Sequence, residues 1–90
     1  MKFSITDKAK EKLSLMQEKN IPIMLYNIPV GWNNFTYKIV SVKQTQQDNV
    51  HNVDGINIII PKELERSLIS VKIDYGGIFT KDFRITPRYS

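Results

Sequence analysis

The chain contains no cysteine. That absence excludes disulfides, thiolate nucleophiles and thiolate metal sites together. It contains one histidine, His51, which cannot build a multi-histidine zinc site by itself. No Ser-His-Asp set, phosphate-cradling glycine loop or metal-ligand cluster can be assembled from what remains, so catalysis is not expected. No stretch approaches the roughly 20 consecutive apolar residues that a membrane span requires. The opening residues, Met1 to Asp7, carry no long apolar core after their charge. A secretory leader is therefore not expected, and the cytoplasm is the default location.

What is present describes one small globular domain over residues 1–90. Apolar residues make up 41% and charged residues 24%, ordinary values for a soluble fold. A chain this short buries only roughly 60–65% of its extended surface, so pairing with a second copy would help its stability. The net charge is +4. The basic residues are spread along the chain rather than gathered in a tract, so nucleic acid is not expected as a partner.

The segment Ile21 to Tyr37 organises the rest. Before it, Lys2 to Ile5 reads as a short extended opening. Thr6 and Asp7 offer N-cap oxygens, and Ile5, Ala9, Leu13 and Met16 recur at helical spacing. The spacing predicts an amphipathic helix over Thr6–Lys19, ended by Asn20 and by Pro22, which disfavours helix at the residue before it. Ile21–Ile28 is apolar on both alternating faces, as in a central strand. Pro29 and Gly31 break it at a loop, and Phe35–Val42 follows as the next strand. Its apolar parity shifts after Ile39, which predicts a bulge or a change of partner there.

Lys43–Asn49 is polar and reads as a strand end and loop. Asp54-Gly55 between apolar runs predicts a two-residue hairpin turn. Pro61 closes the second strand, and Lys62–Leu68 fits a short helix with Leu64 and Leu68 toward the core. Val71–Tyr75 alternates as a strand with one wet face. Phe79–Ile85 alternates again, and Pro87 is expected to end regular structure.

The residues at these joints carry a resemblance. Ile5-Thr6-Asp7-Lys8-Ala9 is similar to the helix opening of the HesB-type (IscA-like) family of iron–sulfur biogenesis proteins. Gly31-Trp32-Asn33-Asn34-Phe35-Thr36-Tyr37 resembles that family's Gly-Cys-Ser-Gly-Phe-x-Tyr loop. Asp54-Gly55-Ile56 with Ile60-Pro61-Lys62 resembles its Asp-Gly hairpin and following helix. Ile73-Asp74-Tyr75 with Phe83-Arg84-Ile85 and Pro87 resembles its final strands. The likeness spans nearly the whole chain. It implies an α+β fold: a β-rich domain of two small mixed sheets with one N-terminal amphipathic helix and one short helix. The family holds iron or an iron–sulfur cluster through thiolates and passes it on, often as a dimer. Here Trp32 stands at the loop-cysteine position, and an indole N–H is a donor that cannot ligate iron. The chain ends at Ser90, before the family's Cys-Gly-Cys. The expectation is a cysteine-free member of this fold, non-enzymatic and without a cluster, with no metal site.

The candidate binding site is the loop: Gly31, Trp32, Asn33, Asn34 and Tyr37. Trp32 is expected first as a plug filling the space left by the missing ligand, with an exposed contact anchor as the alternative. Asn33 and Asn34 are expected to satisfy their own backbone or adopt the left-handed conformation rather than hold a ligand. The alternative function is therefore a module that grips a protein or small ligand through this loop, with a protein partner or a homodimer as the candidate assembly. His51 is expected to be solvated. Asp74 is expected to pair with Lys72 or Arg84, and Glu63 and Glu65 are not expected to form a carboxylate pair. Tyr75, Phe79, Phe83 and Tyr89 with Lys72, Lys81, Arg84 and Arg88 could make a stacking-plus-charge surface for single-stranded nucleic acid. The expected reading is the core and wet faces of two strands.

Overall fold

In the computed structural model, which describes residues 1–77 and 81–89, chain order runs β1 (Lys2–Ile5), α1 (Asp7–Glu18), β2 (Met24–Pro29), β3 (Phe35–Val40) and β4 (Asp48–Val53). It continues with β5 (Ile56–Pro61), α2 (Lys62–Arg66), β6 (Leu68–Gly76) and β7 (Asp82–Tyr89). The strands form two mixed sheets, ordered β1-β6-β7 and β3-β2-β5-β4. β1 runs parallel to β6, and β2 parallel to β5; the remaining pairs are antiparallel. The expected α+β architecture, with one amphipathic helix and one short one, is what the chain adopts.

The helix begins where its cap was expected. The Thr6 hydroxyl accepts from the Ala9 N–H at 3.3 Å, satisfying one of the orphan donors of the first turn. After the helix, Asn20 takes a left-handed φ of +58°. Ala9 and Leu13 are fully buried. They pack against Ile23, Leu25, Ile56, Ile58, Ile60, Val71 and Ile73, so the core lies between α1 and the inner faces of both sheets. Ile5, read with the helical stripe, sits instead on β1 opposite Ile73. The expected helix end at Leu68 is also revised: α2 stops at Arg66, and Leu68 opens β6 while remaining buried.

Two further expectations are corrected. β2 and β3 pair without interruption from Met24↔Val40 to Pro29↔Phe35, so no bulge occurs near Ile39. The register shift lies in β6, between Leu68 and Ser70. Pro87 does not end regular structure: β7 continues through it to Tyr89, with Pro87 opposite Val71. β7 is a sheet edge, where a residue without an N–H is tolerated. The expected start of this strand at Phe79 lies outside the described residues.

Candidate functional site

β2 is central, as its two apolar faces suggested, but only at its root. It shares one register pair with β5, Met24↔Ile59, backed by the Ile59 N–H donating to the Ile23 carbonyl at 2.8 Å. Beyond that pair, β2 has β3 as its sole strand neighbour among the described residues. The result is a two-stranded arm. Leu25 at its root is fully buried and Tyr26 beside it faces outward, while Val30 and Phe35 at its end are about half exposed.

The arm turns through Val30–Asn34. The Val30 N–H donates to the Asn34 carbonyl at 2.9 Å. Gly31 takes a φ of +112° and Asn33 of +57°, a left-handed conformation that glycine and asparagine adopt at low cost. Asn33 thus does what its composition suggested. The turn places Trp32 at the apex with 93% of its surface exposed. It fills no cavity, so the plug expectation is wrong. The core takes Leu25 and Tyr37 from the two strands of this hairpin and no residue of its tip.

Four of the five candidate residues, Gly31, Trp32, Asn33 and Asn34, are brought together and exposed at the tip. Tyr37 is not among them. It faces the core at 9% exposure, with its ring centroid 6.3 Å from that of Tyr89. Burial, together with the neighbouring Tyr89 hydroxyl, pushes its phenol above the usual tyrosine range. The sequence reading did not single out Val30 and Phe35, which flank Trp32 at 54% and 53% exposure. Phe35 has core parity with Tyr37 and Ile39, so only the length of the arm beyond Met24↔Ile59 reveals its exposure.

A second polar cluster was also missed. His51 is not freely solvated: its Nε2 pairs with Glu65 Oε1, and the Asn49 side-chain amide donates to Glu65 Oε2. The Phe3 ring lies 5.3 Å from the imidazole. Burial raises the Glu65 carboxyl, but the Asn49 and His51 hydrogen bonds and the His51 and N-terminal charges together leave it below its usual value. This cluster ties α2 to β4. Its histidine and carboxylate are engaged with each other, and among the described residues no three His, Cys, Asp or Glu side chains could hold a metal together.

Asp74 chooses Arg84 over Lys72, at 2.9 Å. The Thr6 hydroxyl donates to it at 2.7 Å and the Tyr75 N–H at 2.8 Å. These two bonds, then Arg84, hold its carboxyl below the usual range. The stacking-plus-charge surface does not form. Tyr75 and Phe83 pair with each other, their centroids 4.9 Å apart, on the core side of their strands with Ile73 and Ile85. The cations at Lys72, Arg84 and Arg88 alternate to the opposite face. Phe79 lies outside the described residues.

This architecture, two mixed sheets closed over one long helix with an Asp-Gly hairpin before a short one, is the IscA-like fold. The crystal structure of Escherichia coli SufA, involved in biosynthesis of iron–sulfur clusters, superposes with a TM-score of 0.76 at 17% identity, over 93% of this chain and 78% of that one. The crystal structure of IscA with its [2Fe-2S] cluster gives 0.73 at 18% identity, over 94% and 84%. No protein-family profile and no curated protein sequence matches the chain. At these identities the likeness is one of fold. The donor set does not fit a cluster: the loop offers an indole and two amides where soft thiolates would be needed.

Proposed function

We propose that this domain is a non-enzymatic protein of iron–sulfur cluster biogenesis that carries no cluster and acts by docking a protein partner, in the cytoplasm, through the tip of its β2–β3 arm. One observation carries the reading. In the family it resembles, the loop after the second strand presents a ligand cysteine; here the same loop presents Trp32, almost wholly exposed. An indole at that position cannot ligate iron. A rigid ring flanked by half-exposed Val30 and Phe35 has instead the make-up of an interface hot spot. A small-ligand role has less support, because Trp32 is 93% exposed and lines none of five well-formed cavities among the described residues.

The test is anaerobic reconstitution with iron and sulfide, read by visible absorption and by iron and sulfide analysis. The expected product is colourless and free of stoichiometric iron. Charge-transfer absorption with stoichiometric iron and sulfide would overturn the cluster-free reading and turn attention to His51 and the carboxylates.

A further inference from the structure

The β1-β6-β7 sheet has two unlike faces. In its register Lys2 lies beside Ser70 and Ser70 beside Arg88; Ser4 lies beside Lys72 and Lys72 beside Thr86; Asp74 lies beside Arg84. Alternation along each strand puts these positions on one face. The intervening Val71 and Ile73 are buried, whereas Lys2, Ser4, Lys72, Arg84, Thr86 and Arg88 are exposed. The outward face of these rows therefore holds four cations, three hydroxyls and one carboxylate; the exposed Asp82, beside Gly76, continues the same alternation at the end of the sheet. The carboxylate within the rows, Asp74, is taken by Thr6 and Arg84. Among the described residues Lys2, Lys72 and Arg88 have no ion-pair partner. They edge a shallow cavity of about 400 Å³ lined also by Ser4, Ser70, Thr86, Phe3 and Val71.

We propose that this face binds the phosphate backbone of a nucleic-acid duplex. Lysine, arginine, serine and threonine are the side chains that contact phosphate oxygens, and here they lie in neighbouring rows on one face of the sheet. A protein partner would need an apolar centre to anchor it; the rows from Lys2 to Arg84 carry polar side chains outward, and the exposed Ile69 lies at the end of β6, beyond Ser70, rather than at the centre of the face. Single strands are gripped by stacking on aromatic rings, but Tyr75 and Phe83 face the core. The contact is then electrostatic and independent of sequence, and the isoelectric point near 9.4 agrees with it. The sequence alone groups Lys72, Arg84 and Arg88 on the last strands; parallel pairing of β1 with β6 adds Lys2 to them.

The experiment measures fluorescence anisotropy of a labelled mixed-sequence duplex with the whole chain. With three phosphates neutralised, affinity should fall about 40-fold between about 50 and about 200 mM salt. The Lys72→Glu/Arg88→Glu variant should weaken binding at least ~10-fold at the lower salt. A control, Lys8→Glu/Lys19→Glu at exposed positions on α1 and just after it, makes the same charge change and should leave binding within about threefold. Circular dichroism confirms folding, and Lys72→Ala/Arg88→Ala replaces the glutamate pair if that pair does not fold. No duplex binding at the lower salt overturns the proposal. So does equal weakening by both variants, which would mean diffuse charge. Tighter retention on phosphatidylserine vesicles than on duplex would also overturn it, by assigning the face to a membrane.

Discussion

The β2–β3 and β4–β5 hairpins both reverse through left-handed residues: Gly31 and Asn33 at φ +112° and +57° in one, Asp54 and Gly55 at +52° and +86° in the other. Their surroundings differ. The Asp54-Gly55 turn is fastened to α1. The Gln17 amide donates to the Gly55 carbonyl and its oxygen accepts from the Asn57 N–H at 2.7 Å; Lys10 lies 3.5 Å from Asp54. Asn52 adds bonds to Asn57 and to the Gly55 N–H. Among the described residues, the Val30–Asn34 turn is closed by its own backbone bond and by no side chain. Where side chains hold a turn, its residues serve the fold. Where the core leaves a turn alone and an indole crowns it, the side chain is free to serve something else.

The sharpest way to break this comparison is to truncate the crown. Trp32→Ala should weaken partner capture by about 30-fold or more, the cost of a hot-spot residue, as measured by quantitative pull-down against wild type. Gln17→Ala should leave capture unchanged. Equal capture by Trp32→Ala and wild type would end the docking reading.

Acid should act next, and at the root of the fastened hairpin. The Glu65 carboxyl is lower in the folded chain than its ordinary value, so its contribution is present above the ordinary carboxylate range. It is lost as pH falls through the lowered value. Glu65→Ala should cost about 1–3 kcal/mol in urea unfolding near neutral pH, because it strips charged hydrogen bonds from Asn49 and His51. It should also flatten the acid limb of the stability profile. An unchanged acid limb would show that the cluster does not hold α2 to β4.

Within the turns, Gly55→Ala should cost about 1–2 kcal/mol, since a Cβ at that positive φ is strained even in open space. Gln17→Ala should cost about 1 kcal/mol, also by urea unfolding. The smallest expected effect sharpens the contrast most: Trp32→Ala should change stability by no more than about 0.5 kcal/mol, as an exposed substitution does.

Much of the fold was legible because local chemistry and tertiary packing agree. Thr6 caps where its hydroxyl predicts, Asp54-Gly55 turns where both residues tolerate positive φ, and the stripe of Ala9 and Leu13 is buried. The site was legible as a place but not as an environment. Trp32 was read as a plug because sequence shows a ring's size and not the reach of the arm beneath it. That reach depends on β2 meeting β5 at one pair only, a long-range fact. His51 was read as solvated because its strand parity is local, whereas Glu65, fourteen positions later, is delivered by α2. Pro87 looked like a terminator because an edge strand cannot be told from a central one before the sheet is assembled.

Trp32 is the chain's one tryptophan, so fluorescence excited at the red edge of absorption, where the four tyrosines do not absorb, reports on the tip alone. The most direct test of the account is its emission and iodide quenching in the native protein, at a dilution where light scattering shows monomer. The account predicts a water-like emission, quenched nearly as fully as in the urea-unfolded chain. A blue-shifted emission shielded from iodide in that monomer would contradict it, and would return Trp32 to the interior as a plug.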